Sequence, residues 1–148
     1  MNAGIVASRY ARALLRFVQE TGNGDKVYSQ ACVLVLRMKE VEQLKAYVCD
    51  QNNIGTDKRI ALLEAALGEP MSMEIKRFVS LVHEKGRITH IFRMLHAFIS
   101  MYRQENGIKV GRLITALPAE VLKEKMEKAF SEKTGADVRL EMKVNPDI

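Results

Sequence analysis

Apolar residues recur at intervals of three and four through the first two-thirds of the chain, which is the period of amphipathic helices. Prolines, glycines and short polar runs separate these segments, because proline and glycine interrupt regular backbone structure. The pattern predicts six helices, at residues 4–20, 24–39, 41–49, 57–67, 71–84 and 88–105. Helices of this kind bury their apolar stripes against one another, so we predict a helical bundle over residues 1–105.

The hydrophobic period changes after residue 106. Residues 138–144 alternate apolar and charged side chains, which is typical of a strand with one buried face, and residues 108–116 are also strand-like. Residues 118–134, between them, form an amphipathic helical pattern, and a crossover of this length favours parallel pairing of the strands. The predicted fold is therefore mainly α: a six-helix N-terminal bundle followed by an α/β (strand–helix–strand) C-terminal domain over residues 106–148.

The predicted second domain has too few elements to stand alone. Two strands and one helix leave exposed strand edges and a half-formed core. The chain ends at Ile148 after a predicted turn. We therefore expect the α/β domain to be incomplete and the sequence to be a C-terminally truncated part of a longer chain.

The amino-acid composition and the charge pattern argue against some classes of function. The 148 residues include 23 Lys and Arg against 18 Asp and Glu, a net charge of +5, and 47% are hydrophobic, which is typical of a globular protein. Basic and acidic residues alternate along most predicted helices, as on a solvated surface, so we do not expect nucleic-acid binding. No apolar run approaches the roughly 18–20 residues of a membrane span, so we expect no direct membrane insertion.

The titratable residues do not form a catalytic or metal-binding pattern. His83, His90 and His96 are not at ligand spacing on one helix face, and two cysteines cannot make a cysteine-rich zinc site. The sequence contains neither a glycine-rich phosphate loop nor a nucleophile elbow. We therefore predict a protein that is not an enzyme and that uses no cofactor and no metal.

The first predicted helix has an unusually wide apolar surface. Val6, Tyr10, Ala13 and Phe17 share one flank, and the whole apolar arc spans about 200°, where packing on one layer needs roughly 100°. Two interpretations remain open. This helix is the central helix of its bundle, or one flank packs inside while the other receives an amphipathic helix from a partner.

The fifth predicted helix shows a weaker form of the same feature. Leu81 lies at the edge of its core stripe, beyond Glu74. A shallow groove between the first and fifth helices could therefore accept a partner helix.

Four segments together resemble one known family. Residues 7–14 (ASRYARAL) resemble the A-x-R-Y-A-x-A-L opening of the delta subunit of F-type ATP synthases, called the oligomycin-sensitivity-conferring protein in mitochondria. Residues 78–87 (FVSLVHEKGR) are similar to its F-x-x-L-x-x-x-x-G-R segment. Residues 113–118 (LITALP) and 135–140 (GADVRL) resemble the strand entries of its C-terminal domain. Their order and spacing extend over essentially the whole chain.

The resemblance implies a non-catalytic stator subunit that links the catalytic head to the peripheral stalk in proton-coupled ATP synthesis. In the family, the first and fifth helices hold the amphipathic N-terminal helix of an alpha subunit, and the peripheral-stalk b subunit is a further partner. Carried over by position, the candidate contact residues are Tyr10, Ala13, Phe17, Phe78, Leu81 and Val82. Arg9 and Arg12 are candidates for a charged rim around them.

The resemblance also implies a location on the cytoplasmic side of a bacterial inner membrane, peripheral through the ATP synthase complex. The alternative that the residues leave open is a free-standing helical adaptor or regulatory protein-binding module.

Overall fold

The computed structural model describes residues 2–52 and 54–147, so Asn53 of a polar loop and the terminal Ile148 lie outside the described residues. The elements follow one another as α1 (Ala3–Thr21), α2 (Gly24–Glu40), α3 (Glu42–Val48), α4 (Thr56–Leu67), α5 (Met73–Glu84), a 3₁₀ turn (Ile88–His90), α6 (Ile91–Glu105), β1 (Ile108–Thr115), α7 (Glu120–Thr134) and β2 (Asp137–Val144).

The predicted fold class is confirmed: the chain is mainly α, with a strand–helix–strand region near its C-terminus. Some helix ends differ from the prediction. The fifth helix begins at Met73 and not at residue 71, because the Ser72 side chain accepts a hydrogen bond from the Ile75 amide and caps the helix there. The sixth begins with a 3₁₀ turn, Ile88–His90, before the α-helix proper.

The chain divides into two compact units, Met1–Met101 and Tyr102–Ile148. The division falls within α6, after Met101, where the sequence predicts a boundary after residue 105. The two units are described separately below.

The first unit is a bundle in which α1 contacts both α2 and α5. Each of these helices contributes apolar side chains that are almost fully buried. Those on α1 are Val6, Ala7, Ala11, Leu14, Leu15 and Val18. The wide apolar arc of α1 predicts that part of it faces the core, and this buried stripe is that part.

A buried arginine joins three segments of this bundle. Arg59 on α4 has no exposed surface, and its Nε donates to the Val48 carbonyl at 2.8 Å. Its guanidinium also donates to the Asp50 carbonyl and, at 2.8 Å, to Nδ1 of His83 on α5. Because a guanidinium only donates, Nδ1 of His83 is the acceptor in this contact. Burial lowers the pKa of Arg59, and the nearby Asp50 carboxylate opposes that effect.

Replacing this arginine tests its role. Arg59→Ala leaves the Val48 and Asp50 carbonyls without their donor, so we expect a loss of about 2–4 kcal/mol in the free energy of unfolding. Urea denaturation of both proteins measures it. The neighbouring exposed Lys58→Ala should change stability by less than about 0.5 kcal/mol. Equal stability of the two variants would contradict a structural role for Arg59.

In the second unit, β1 and β2 pair in parallel, from Ile108 opposite Asp137 to Thr115 opposite Val144, as predicted. The outer edge of β2 is occupied by side chains of α7. The Glu127 carboxylate accepts from the Leu140 amide at 2.8 Å, and the Ser131 hydroxyl accepts from the Val138 amide at 3.1 Å. These bonds satisfy β2 amides that would otherwise be unpaired at a strand edge.

Hydrogen exchange of backbone amides tests whether Glu127 protects the outer edge of β2. In Glu127→Ala the Leu140 amide loses a charged acceptor, so we expect its hydrogen exchange to accelerate about tenfold or more. The matched control is Glu124→Ala, an exposed carboxylate on the same helix. Equal protection of Leu140 in both variants would show that Glu127 does not hold this edge.

Candidate functional site

Helix α1 has a second apolar flank outside the core. Its buried stripe leaves Tyr10 and Phe17 half-buried and Ala13 exposed, all on the same side of the helix. Arg9 and Arg12 are exposed beside them. The apolar surface that exceeds the needs of the core is therefore a distinct, solvent-facing strip.

Two groups of buried polar side chains fix α5 beside α1. Glu74, only 4% exposed, accepts hydrogen bonds from Asn23 Nδ2 at 2.7 Å and from the Thr21 hydroxyl at 3.4 Å. These bonds tie the first turn of α5 to the end of α1. A buried carboxylate needs such partners, so the position of α5 is strongly specified here.

The second group involves Gln30 of α2, which is 1% exposed. Its amide nitrogen donates to the Pro70 carbonyl at 3.1 Å, and its Oε1 accepts from the Ser72 amide at 2.8 Å. The segment that leads into α5 is thereby held against α2.

The C-terminal end of α5 turns sharply at Gly86. This residue has a φ of +69°, in the left-handed region where glycine is favoured. The Arg87 amide donates to the Val82 carbonyl at 2.9 Å and closes the turn. The turn holds Lys85 and Arg87 at the same end of the groove between α1 and α5.

A cavity of about 250 Å³ lies between α1 and α5. Its apolar lining comes mainly from α1, with Leu81 on the opposite wall, and three cationic side chains surround it. The lining residues are Val6, Arg9, Tyr10, Ala13, Leu81, Lys85 and Arg87. Leu81 is 42% exposed, which is high for a leucine beside a helical core. We call this surface the α1–α5 groove.

The structure separates the predicted site residues into three sets. Tyr10, Ala13, Leu81 and Arg9 line the α1–α5 groove together. Phe17 lies on the same flank of α1, beyond the cavity lining, and Arg12 is exposed outside it.

Phe78 and Val82 require a correction. They are 5% and 0% exposed and belong to the core, because the fifth helix directs both side chains into the bundle. A partner cannot contact them without opening the core, so we remove both from the candidate contact residues.

Sequence reasoning missed Lys85 and Arg87 as groove residues, since they entered only as part of the segment 78–87 that resembles the family. Lys85 follows Leu81 by four residues and so shares its helix face, a spacing that could have placed it at the groove. Sequence reasoning also missed a larger apolar concavity of about 580 Å³ at α2, α3 and α4. Its lining residues are Arg37, Val41, Gln43, Leu44, Tyr47, Leu62, Ala65 and Ala66.

The described residues contain no group of three or more His, Cys, Asp or Glu side chains that could hold a metal ion. Within the same part of the chain, no helix combines the length and apolarity needed to cross a bilayer. A helical bundle with an apolar groove lined by cations is typical of modules that bind an amphipathic helix.

Comparison with known proteins assigns the family. Residues 6–148 match the model of the family described as ATP synthase delta (OSCP) subunit. The chain is 33% identical over 150 residues to an ATP synthase subunit delta of Phocaeicola vulgatus, covering 100% of this chain and 80% of that protein. It is 32% identical over 145 residues to the Symbiobacterium thermophilum protein of the same name, covering 97% and 77%.

A solved structure has the same fold. A chain in the cryo-EM structure of the Toxoplasma gondii mitochondrial ATP synthase hexamer superposes with a TM-score of 0.64 at 21% identity. The match covers 94% of this chain and 78% of that one.

The chain therefore belongs to the ATP synthase delta (OSCP) subunit family. As a member it is a structural subunit of the ATP synthase stator, or peripheral stalk, and not a catalytic one, as predicted. This assignment replaces the alternative of a free-standing adaptor.

Proposed function

We propose that the α1–α5 groove binds the amphipathic N-terminal helix of an ATP synthase alpha subunit and so joins the catalytic head to the peripheral stalk. The b subunit is the proposed second partner within that stalk. The proposed location is the cytoplasmic side of a bacterial inner membrane, with attachment through the complex. The observation that carries the proposal is the apolar strip on α1 that the core leaves uncovered.

The spacing of the residues in the strip suits contact with a second helix. Tyr10, Ala13 and Phe17 are spaced by three and four residues, so they form one line along about 10 Å of α1. The small Ala13 side chain permits close approach of a second helix. The two aromatic rings supply large, rigid contact surfaces, which are the residue types that contribute most to binding energy in interfaces.

The opposite wall supplies the second side of the groove. Leu81 projects from α5 with 42% of its surface exposed and faces the cavity shared with Tyr10 and Ala13. An apolar residue of the partner helix that inserts here would be covered from both sides, which is the arrangement typical of helix-in-groove recognition.

The rim favours a partner helix with acidic residues beside its apolar stripe. The cavity lining includes the cations Arg9, Lys85 and Arg87, and among the described lining residues there is no Asp or Glu. Charges at a rim affect association rate and orientation more than affinity.

The larger concavity at α2, α3 and α4 is the competing position for a partner helix. It is lined by the seven-residue α3 (Glu42–Val48), by Arg37 near the end of α2 and by one turn of α4 with Leu62, Ala65 and Ala66. The lining of the α1–α5 groove runs along α1 from Val6 to Ala13 and the apolar strip continues to Phe17, so a partner helix finds a longer continuous line of contacts there.

Titration of a synthetic alpha-subunit N-terminal peptide into the full chain tests the proposal. Leu81→Asp places a charge where the partner should bury apolar surface, so we expect the peptide affinity to fall at least about tenfold. Isothermal titration calorimetry measures the affinity. Circular dichroism and urea unfolding check that the bundle remains folded.

The matched control is Leu36→Asp, since Leu36 is 49% exposed and lies on α2 away from the groove lining. This variant should bind the peptide as the unsubstituted chain does. Absence of binding by the unsubstituted chain, or equal losses in both variants, would overturn the proposed site.

The cations that line the groove give a separate kinetic prediction. Arg9→Ala combined with Arg87→Ala should lower the association rate several-fold at low salt and much less at high salt, with little change in the dissociation rate. Stopped-flow measurements at several salt concentrations test this. A salt-independent change confined to the dissociation rate would show instead that these arginines make buried contacts.

A further inference from the structure

A second concavity of about 440 Å³ lies on another side of α1, where it meets the end of α2 and the start of α6. We call it the α1–α6 basin. Its floor is lined by the small residues Gly4, Ala7 and Ala97, of which Ala7 is almost fully buried. The half-buried ring of Phe92 supplies a single large apolar surface.

Positive charge surrounds this floor. Lys39 comes from α2, and Arg93 and His96 come from α6, so cationic or proton-donating groups lie on two sides. Lys45 adds another cation, with its Nζ 4.1 Å from the centre of the Phe92 ring. No Asp or Glu of the described residues lines the basin.

These cations are not neutralised within the described part of the chain. Neither Lys39 nor Arg93 takes part in an ion pair there, and the ring of His96 lies 6.4 Å from the ring of Phe92, centre to centre. By contrast, Arg37, on the same helix as Lys39, is paired with Glu40 at 3.2 Å. The basin is therefore a locally positive surface with an apolar centre.

We propose that the α1–α6 basin binds an acidic segment of a polypeptide other than the helix in the α1–α5 groove. Carboxylates of this segment would lie near Lys39 and Arg93, with an apolar side chain against Phe92. Charge complementarity is the basis for this choice of partner. The small floor residues allow the partner backbone to approach closely.

The arrangement favours a peptide over a small anion. Lys39, Arg93 and His96 are all exposed at the rim, and none is a buried donor directed at one point. A phosphate-sized ligand needs convergent donors, whereas a peptide with several carboxylates can engage donors that are spread over different helices.

The basin and the α1–α5 groove are independent. Ser8 lines the basin and Tyr10 lines the groove, and residues two apart lie on nearly opposite sides of a helix. Both surfaces can therefore be occupied at once, and failure of one proposal leaves the other standing.

The test uses the full chain labelled with ¹⁵N and a synthetic peptide of three Glu-Leu-Ala-Glu repeats. We expect chemical-shift changes at the amides of Ser8, Phe92 and Ala97. A twin peptide with Gln in place of every Glu should bind at least about tenfold more weakly, because it lacks the charges.

Charge reversal at the rim gives the matched comparison. Lys39→Glu combined with Arg93→Glu should weaken binding of the acidic peptide at least about tenfold. Lys26→Glu combined with Lys58→Glu changes the net charge equally at exposed positions outside the basin and should leave binding nearly unchanged.

Three results of the peptide experiments would overturn the proposal. The first is that the acidic peptide does not bind at millimolar concentration. The second is that the Gln peptide binds as tightly as the Glu peptide, and the third is that both charge-reversal pairs weaken binding equally. Vesicles containing phosphatidylglycerol provide the last check. If the chain sediments with these vesicles through Lys39 and Arg93, and the acidic peptide does not release it, the ligand of the basin is a lipid surface and the proposal is wrong.

Discussion

The packing of α1 against α2 and α5 is the constraint on which the first unit depends. This helix supplies a stripe of buried residues to the core and still has apolar surface left over. If α1 were covered on every side it would be an ordinary central helix. Because the groove between α1 and α5 leaves Ala13 exposed and Tyr10 half-buried, the same helix holds the bundle together and leaves a strip open for a partner.

Buried polar contacts make that arrangement specific. Apolar packing alone tolerates small shifts of helices, whereas Glu74 and Gln30 each have defined partners that a shift would break. Arg59 has the same effect near the C-terminal end of α5, where it binds the Val48 carbonyl at the end of α3, the Asp50 carbonyl in the following loop and the imidazole of His83. A groove with fixed walls loses less entropy on binding than one that must first be ordered.

The sequence predicted more of the fold than of the site, for physical reasons. Helical period and glycine breaks are local signals, so the helices and the parallel strands could be predicted. Whether an apolar residue faces the core or a partner depends on neighbouring helices. Phe78 and Val82 were carried over from the family resemblance as contact residues, although the fifth helix buries both in the core. The buried Arg59 and the cluster of Lys39, Arg93 and His96 depend on tertiary contacts between distant segments, which no local pattern reveals.

Intermolecular nuclear Overhauser effects test the central claim most directly, with the full chain ¹³C-labelled and the alpha-subunit N-terminal peptide unlabelled. The groove model predicts contacts from the peptide's apolar side chains to the Leu81 methyl groups, the Ala13 methyl group and the Tyr10 ring. Contacts confined to Val41, Tyr47 and Leu62 would place the helix in the larger concavity instead and contradict the model.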